Sequence, residues 1–340
     1  MSARGKAVRT DAELQCPRLD AGLRARGLDL VLLPDGVAEA ELAREAADTD
    51  ILLMCYTPVT ARVIEGAARL RGIVKYGVGI DAIDIEAAKA RRIPVVNVPE
   101  YAERTVAEGA FLLLLALARK LAPMHEAMRR DGWIWPSAPW LGSDVAGKTL
   151  GLVGVGRIGR SLAQMAGAGF GARVLGYDPH VPAEQMRAAG VDKRDRLHGM
   201  LAECDFVSLH CVLDASTRGL IGEAEFAAMK PGAMLINVSR GALVDEQALL
   251  RALSSGRLGG AGLDVYASEP LALTGHPLSP LFAMDNVILL PHLTFFTREA
   301  MQRLEEEALQ RCDELLSGAP VRVKSRDPRL TSQRHGVRFD

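Results

Sequence analysis

Short apolar runs and longer helix-like stretches alternate along the chain. Residues 28–33, 51–56, 72–76 and 93–98 are apolar runs of strand length, the first and last closed by Pro34 and Pro99. Between them, 38–47, 60–68 and 84–91 have helical composition, and Asp84 can cap the last. Farther along, 149–153, 173–177, 204–211, 233–238, 260–265 and 287–290 are strand-like, while 160–170, 223–229, 245–254 and 297–316 are helix-like. Repeated β–α alternation predicts parallel sheets with helices on both faces. The stretch 105–121 predicts a buried helix, because its apolar run 110–118 is far shorter than the ~20 residues a membrane span needs.

Glycines interrupt this pattern most informatively after the run 149–153. Gly154, Gly156 and Gly159 form G-x-G-x-x-G between that strand and the helix 160–170, and the next strand ends in Asp178, about 20 residues on. Gly154 allows the tight turn, Gly156 lets backbone approach a pyrophosphate, and Gly159 lets helix and strand pack closely. The helix N-terminus offers unpaired N–H groups to the phosphates. Asp178 can accept from a ribose 2′- and 3′-hydroxyl pair. A carboxylate there repels a 2′-phosphate, so NAD is preferred over NADP.

Composition narrows the remaining classes. A length of 340 residues suggests about two domains. The net charge of −1 gives no electrostatic case for nucleic acid or an anionic membrane. Five cysteines (Cys16, Cys55, Cys204, Cys211, Cys312) without C-x-x-C spacing read as reduced thiols in a cytoplasmic protein, with no metal site expected. Arg4, Lys6 and Arg9 are followed by no apolar run, so no signal peptide is expected. Near the other end, Arg322, Lys324, Arg326 and Arg329 read as a solvated tail. Residues 131–143 hold all three tryptophans and read as an irregular arm that packs on something, a second subunit being one candidate. The alternative is that these rings line a ligand site.

Three polar residues lie at or just past strand ends in the nucleotide-binding half, where open α/β sheets place ligands: Arg240, Glu269 and His292. Hydride transfer to a 2-oxo acid needs a cation for the carboxylate, a proton donor for the ketone oxygen and an anion to tune that donor. Arginine offers a bidentate fork, and a histidine beside a carboxylate holds its proton longer.

At this point the chain resembles the NAD-dependent D-2-hydroxyacid dehydrogenases. The resemblance covers residues 73–316 and rests on YGVGIDAID (76–84), VNVP (96–99), TVAEGA (105–110), GLVGVGRIG (151–159), MKPGAMLINVSRGALVDE (229–246), GLDVYASEP (262–270) and LLPH (289–292). It implies catalytic roles for Arg240, Glu269 and His292, and backbone N–H contacts from Val78 and Gly79 to the substrate carboxylate. It also implies cofactor contacts at Arg157, Ile158, Asp178, Cys211, Val238, Ser239 and Asp264. The implied fold is α/β, with two doubly wound parallel-sheet domains, Rossmann-like and flavodoxin-like, flanking a cleft, and a homodimer as the usual assembly. An outer, substrate-binding domain of 1–121 and 296–340 and an NAD-binding domain of 122–295 are expected.

Departures from the family's patterns bear on the substrate. Met54 stands where phosphoglycerate dehydrogenases carry an arginine for the phosphate, and no regulatory domain follows residue 320, which argues against a phosphorylated acid. Glu269 stands where formate dehydrogenases carry glutamine. Phe295 and Phe296 follow the histidine, as in the C-terminal-binding-protein subgroup, and Lys75 lies where that subgroup carries an arginine near the substrate carboxylate. Phe295 is therefore expected to wall an apolar side-chain pocket or, equally, to pack the last helix. The alternative functions are an NAD-sensing, partner-binding protein without turnover, or phosphite oxidation.

Overall fold

The computed structural model describes residues 5–339, so Arg4 lies outside it. The chain forms two units: one from both chain ends, up to Ala102 and from Thr297 onward, and one from Glu103 to Phe296.

The first unit holds β1 (Gly5–Arg9), β2 (Leu28–Leu32), β3 (Ile51–Met54), β4 (Gly72–Lys75) and β5 (Val95–Asn97), in the order β2-β1-β3-β4-β5, all parallel. This is the flavodoxin-like order, with its reversal between β1 and β3. β3 and β4 are buried at every residue, which explains their unbroken apolar character. β1 was not expected. Its sequence, GKAVR, puts Arg9 in the interior, where Asp20 accepts from Nε at 2.7 Å and Nη2 at 2.9 Å. Helix Arg298–Ser317 begins at Thr297, whose hydroxyl accepts from the Ala300 N–H, and ends on Gly318 at φ 76°.

The basic C-terminal stretch is not a solvated tail. Val321–Val323 and Val337–Phe339 pair as two parallel strands, β13 and β14. Lys324 bridges Glu100 and Glu307, and Arg329 bridges Asp81 and Asp327. Apolar residues Val321, Val323 and Leu330, spaced among the charges, are buried and pull the segment down.

The second unit holds β6 (Thr149–Val153), β7 (Arg173–Tyr177), β8 (Asp192–Lys193), β9 (Phe206–Leu209), β10 (Ala233–Asn237), β11 (Leu258–Leu263) and β12 (Val287–Leu289). Their order is β12-β11-β10-β9-β6-β7-β8, again parallel, with the Rossmann-type reversal between β6 and β9.

The boundary differs from the expected one. Helix Glu103–Ala118, assigned by sequence to the outer domain, belongs to the second unit. Gly260 and Gly262 in β11 are the reason: a Cβ at Gly262 would lie 3.0 Å from Leu113, and one at Gly260 3.3 Å from Leu117. The bare strand surface receives the helix. The helix also stops at Ala118, and a separate helix, Leu121–Asp131, contains Pro123 in its first turn, where proline costs no hydrogen bond. Trp133 and Trp135 beyond it are 64% and 76% exposed, whereas the end of the arm is tied to its own chain, Lys120 donating to the Pro139 carbonyl at 2.9 Å and the Ser143 N–H to the Ala118 carbonyl at 2.7 Å. No helix among the described residues is long and apolar enough to cross a membrane.

Candidate active site

The three glycines after β6 each meet the demand expected of them. Gly154 has φ 93°, and a Cβ on it would lie 2.6 Å from the Cys211 nitrogen. A Cβ on Gly159 would lie 2.5 Å from the Gly154 carbonyl oxygen. A Cβ on Gly156 would meet nothing within 4 Å, so the backbone here borders open space at the start of helix Arg157–Gln164. That is the cradle a pyrophosphate requires. Asp178, just past β7, accepts from the Val155 N–H at 2.9 Å and the His180 N–H at 2.9 Å. Each oxygen keeps a further lone pair for a ribose hydroxyl. Arg157 pairs with Glu103 at 3.0 Å, and Ile158 is half-buried beside it.

Past β9 and β10 the backbone is tied together. The Ser239 hydroxyl donates to the Cys211 carbonyl at 2.7 Å, and the Asn237 side chain donates to the Arg240 carbonyl at 2.9 Å. Val238 is buried, and burial pushes the Cys211 thiol up to about 12, so it stays protonated. Neither Asn237 nor His210 was singled out from sequence. Burial pulls His210 down to about 4, so its imidazole is neutral next to the glycine turn, with Nε2 2.9 Å from the Ser208 hydroxyl.

Arg240, Glu269 and His292 all belong to this unit. Glu269 Oε2 lies 2.8 Å from His292 Nδ1, and its Oε1 accepts from the Tyr266 N–H at 3.0 Å. Burial pushes the Glu269 carboxyl up, but the hydrogen bond and charge of His292, the Tyr266 N–H and the Arg240 charge outweigh it and hold the group below its ordinary value. Glu269 is therefore an anion that fixes the ring through Nδ1. His292 has φ 60°, an uncommon conformation for a side-chain-bearing residue. Asp264 holds the segment that follows: its carboxylate accepts from the Leu293 and Thr294 N–H groups at 2.8 and 3.0 Å and from the Thr294 hydroxyl. Through these contacts Asp264 braces the histidine loop. Gly241 fixes Arg240 relative to Glu269, since a Cβ there would lie 1.9 Å from the Tyr266 backbone.

Comparison with known proteins bears on this arrangement. The family profile described as D-isomer specific 2-hydroxyacid dehydrogenase, NAD binding domain, matches residues 111–294. A glyoxylate reductase from Korarchaeum cryptofilum is 41% identical over 262 residues, covering 76% of this chain and 77% of that protein. The chain belongs to the D-isomer specific 2-hydroxyacid dehydrogenase family. A D-3-phosphoglycerate dehydrogenase from Methanocaldococcus jannaschii is 37% identical over 284 residues, 83% of this chain but 53% of that protein, so the chain spans about half the length of that relative. The structure of a D-lactate dehydrogenase from Aquifex aeolicus, complexed with NAD and lactic acid, superposes with a TM-score of 0.82 at 28% identity, over 92% of this chain and 96% of that one.

Within this dehydrogenase fold the second unit is the NAD-binding domain. Phe295 is 7% exposed and stands edge-on to His292 with ring centroids 6.5 Å apart, whereas Phe296 is 47% exposed. Of the aromatic pair, Phe295 is buried and Phe296 is exposed. The remaining expected residues belong to the first unit. Lys75, at the end of β4, is buried; its ammonium donates to the Cys55 carbonyl and lies 5.5 Å from the Tyr56 ring centroid. Val78 and Gly79 follow in a turn, with Val78 exposed.

Proposed function

We propose that this protein reduces a 2-oxo acid to the D-2-hydroxy acid, and runs the reverse, with Arg240 orienting the carboxylate and carbonyl and His292 as the acid/base. The observation that carries this reading is the 2.8 Å contact between His292 Nδ1 and Glu269, with Arg240 held one glycine away from the Glu269 loop. A bound nicotinamide supplies or takes up the hydride. Gly154, Gly156, Gly159, Arg157 and Ile158 frame the phosphate site, Asp178 holds the ribose, and Cys211, Val238 and Ser239 form the floor. His292 Nε2 donates its proton to the forming alkoxide, and Glu269 stabilises the cationic ring until it does. In the first unit, the Val78 and Gly79 N–H groups receive the carboxylate and Lys75 adds positive charge.

The substrate proposed is an acid with an apolar side chain. Met54, where a phosphate-binding arginine would stand, is fully buried and apolar, and Phe296 presents an exposed ring. The protein is proposed to act in the cytoplasm, where its five unpaired thiols are stable, and as a homodimer.

The test is NADH oxidation, with NADPH in parallel, against glyoxylate, hydroxypyruvate, pyruvate, 2-oxoisocaproate, phenylpyruvate and phosphohydroxypyruvate. Turnover of branched or aromatic acids with NADH is expected, and His292→Ala is expected to lower kcat by about 10²–10⁴. Preference for glyoxylate or for the phosphorylated acid would overturn the substrate assignment. Silence across the panel with NAD still bound would replace catalysis by NAD sensing.

A further inference from the structure

Asn97 closes β5 and is almost wholly buried, at 2% exposure, yet its Oδ1 has no hydrogen-bond partner. An orphan acceptor in the interior carries a cost that an apolar residue would avoid. What the side chain does supply is a donor. Its Nδ2 donates to the Val78 carbonyl at 2.6 Å. One residue on, the Val98 N–H donates to the Gly77 carbonyl at 3.0 Å.

These two carbonyls matter because of the peptide units they belong to. The Gly77 carbonyl shares a peptide with the Val78 N–H, and the Val78 carbonyl shares one with the Gly79 N–H. Among the described residues neither N–H group has an acceptor. In a trans peptide the C=O and N–H point opposite ways. Holding two successive carbonyls against the end of β5 therefore turns two successive N–H groups outward together, which is an anion-binding nest. A hydrogen bond to each carbonyl also polarises the N–H at the other end of the same peptide. Gly77, at φ 152°, gives the turn its direction, and a Cβ there would crowd the Lys75 ammonium at 3.0 Å. Lys75 and Asn97 are direct partners across β4 and β5, so the cation and the amide flank the same turn.

We propose that Asn97 is a positioning residue that sets and polarises the Val78–Gly79 nest for the substrate carboxylate. This rests on the oxo-acid reading above, and deepens it by assigning the nest's aim to a side chain that touches no substrate.

The experiment compares Asn97→Asp and Asn97→Ala with the wild-type enzyme, using whichever 2-oxo acid the wild type reduces, with oxalate as a non-reacting carboxylate probe. Asp keeps the size but places an acceptor against the Val78 carbonyl; Ala removes the donor and the orphan acceptor together. For both, KM and the oxalate Ki are expected to rise about tenfold, with the Kd for NADH unchanged and kcat altered far less than KM. Unchanged KM and Ki in a folded variant would overturn the inference while leaving the function standing. So would equal losses in kcat, NADH affinity and Tm, which a merely structural role predicts. If neither variant folds, Asn97→Ser carries the same readout. A wild-type enzyme that neither turns over an oxo acid nor binds oxalate would refute the function, and the inference with it.

Discussion

Asp178 accepts two backbone N–H groups of its own chain, so its carboxylate is fixed before any ribose arrives. Replacing it by serine removes the charge as well as the bonds. Asp178→Ser is expected to weaken NADH binding about tenfold and to narrow the preference for NADH over NADPH; titration of both cofactors checks this. An unchanged preference would mean that discrimination lies elsewhere. Glu269 yields a pH dependence. Its folded pKa lies below its unfolded one, so its contribution to stability is present above the ordinary carboxylate range and is lost as the pH falls through the folded value. The Tm difference between wild type and Glu269→Gln is therefore expected at neutral pH and should close in acid, as the pH falls below the ordinary carboxylate range. A gap independent of pH would show that the pairing with His292 contributes nothing to folding.

The residues proposed to carry the chemistry lie in loops at strand ends, and glycines decide how closely those loops approach one another. Gly241→Ala would drive a Cβ into the Tyr266 backbone between Arg240 and Glu269. It is expected to cost about 1–3 kcal/mol and most of the activity. Gly169→Ala, where a Cβ meets nothing within 4 Å, is expected to be neutral; urea denaturation and kcat/KM separate the two. The same distinction explains what could be read from the chain alone. The requirements of Gly154, Gly156 and Gly159 are local, so their spacing reveals them, and the cap of helix Glu246–Ser254 is local too, Asp245 accepting from the Gln247 and Ala248 N–H groups. Requirements met across long separations leave no such trace. Arg9 in β1 looks like a surface charge until Asp20 is placed beside it, and the hold of Asp264 on Leu293 and Thr294, 29 and 30 residues on, cannot be read from spacing. Helix Glu103–Ala118 follows the same rule: its allegiance is decided by two glycines in β11, far along the chain.

At the scale of the whole molecule, one segment gathers five exposed large apolar side chains. Leu121, Met128, Trp133, Trp135 and Leu141 are all exposed, and the Trp133 and Trp135 rings stand edge to face with centroids 6.2 Å apart. Tryptophan is enriched in protein interfaces, and contiguous exposed apolar patches mark interaction sites. The segment belongs to the NAD-binding unit, which the family profile matches, and a second copy of this chain is the proposed occupant. Each tryptophan at the centre of such an interface contributes at least about 2 kcal/mol, so replacing both by serine should raise the dimer dissociation constant by about a thousandfold. Sedimentation velocity at micromolar concentration is expected to show a dimer for the wild type and a monomer for the double variant. NADH affinity should persist in that monomer, because the Gly154–Gly159 turn and Asp178 are built from other segments. A wild type that sediments as a monomer would assign the arm to a different partner. A dimer that survives both substitutions would place the interface on another face.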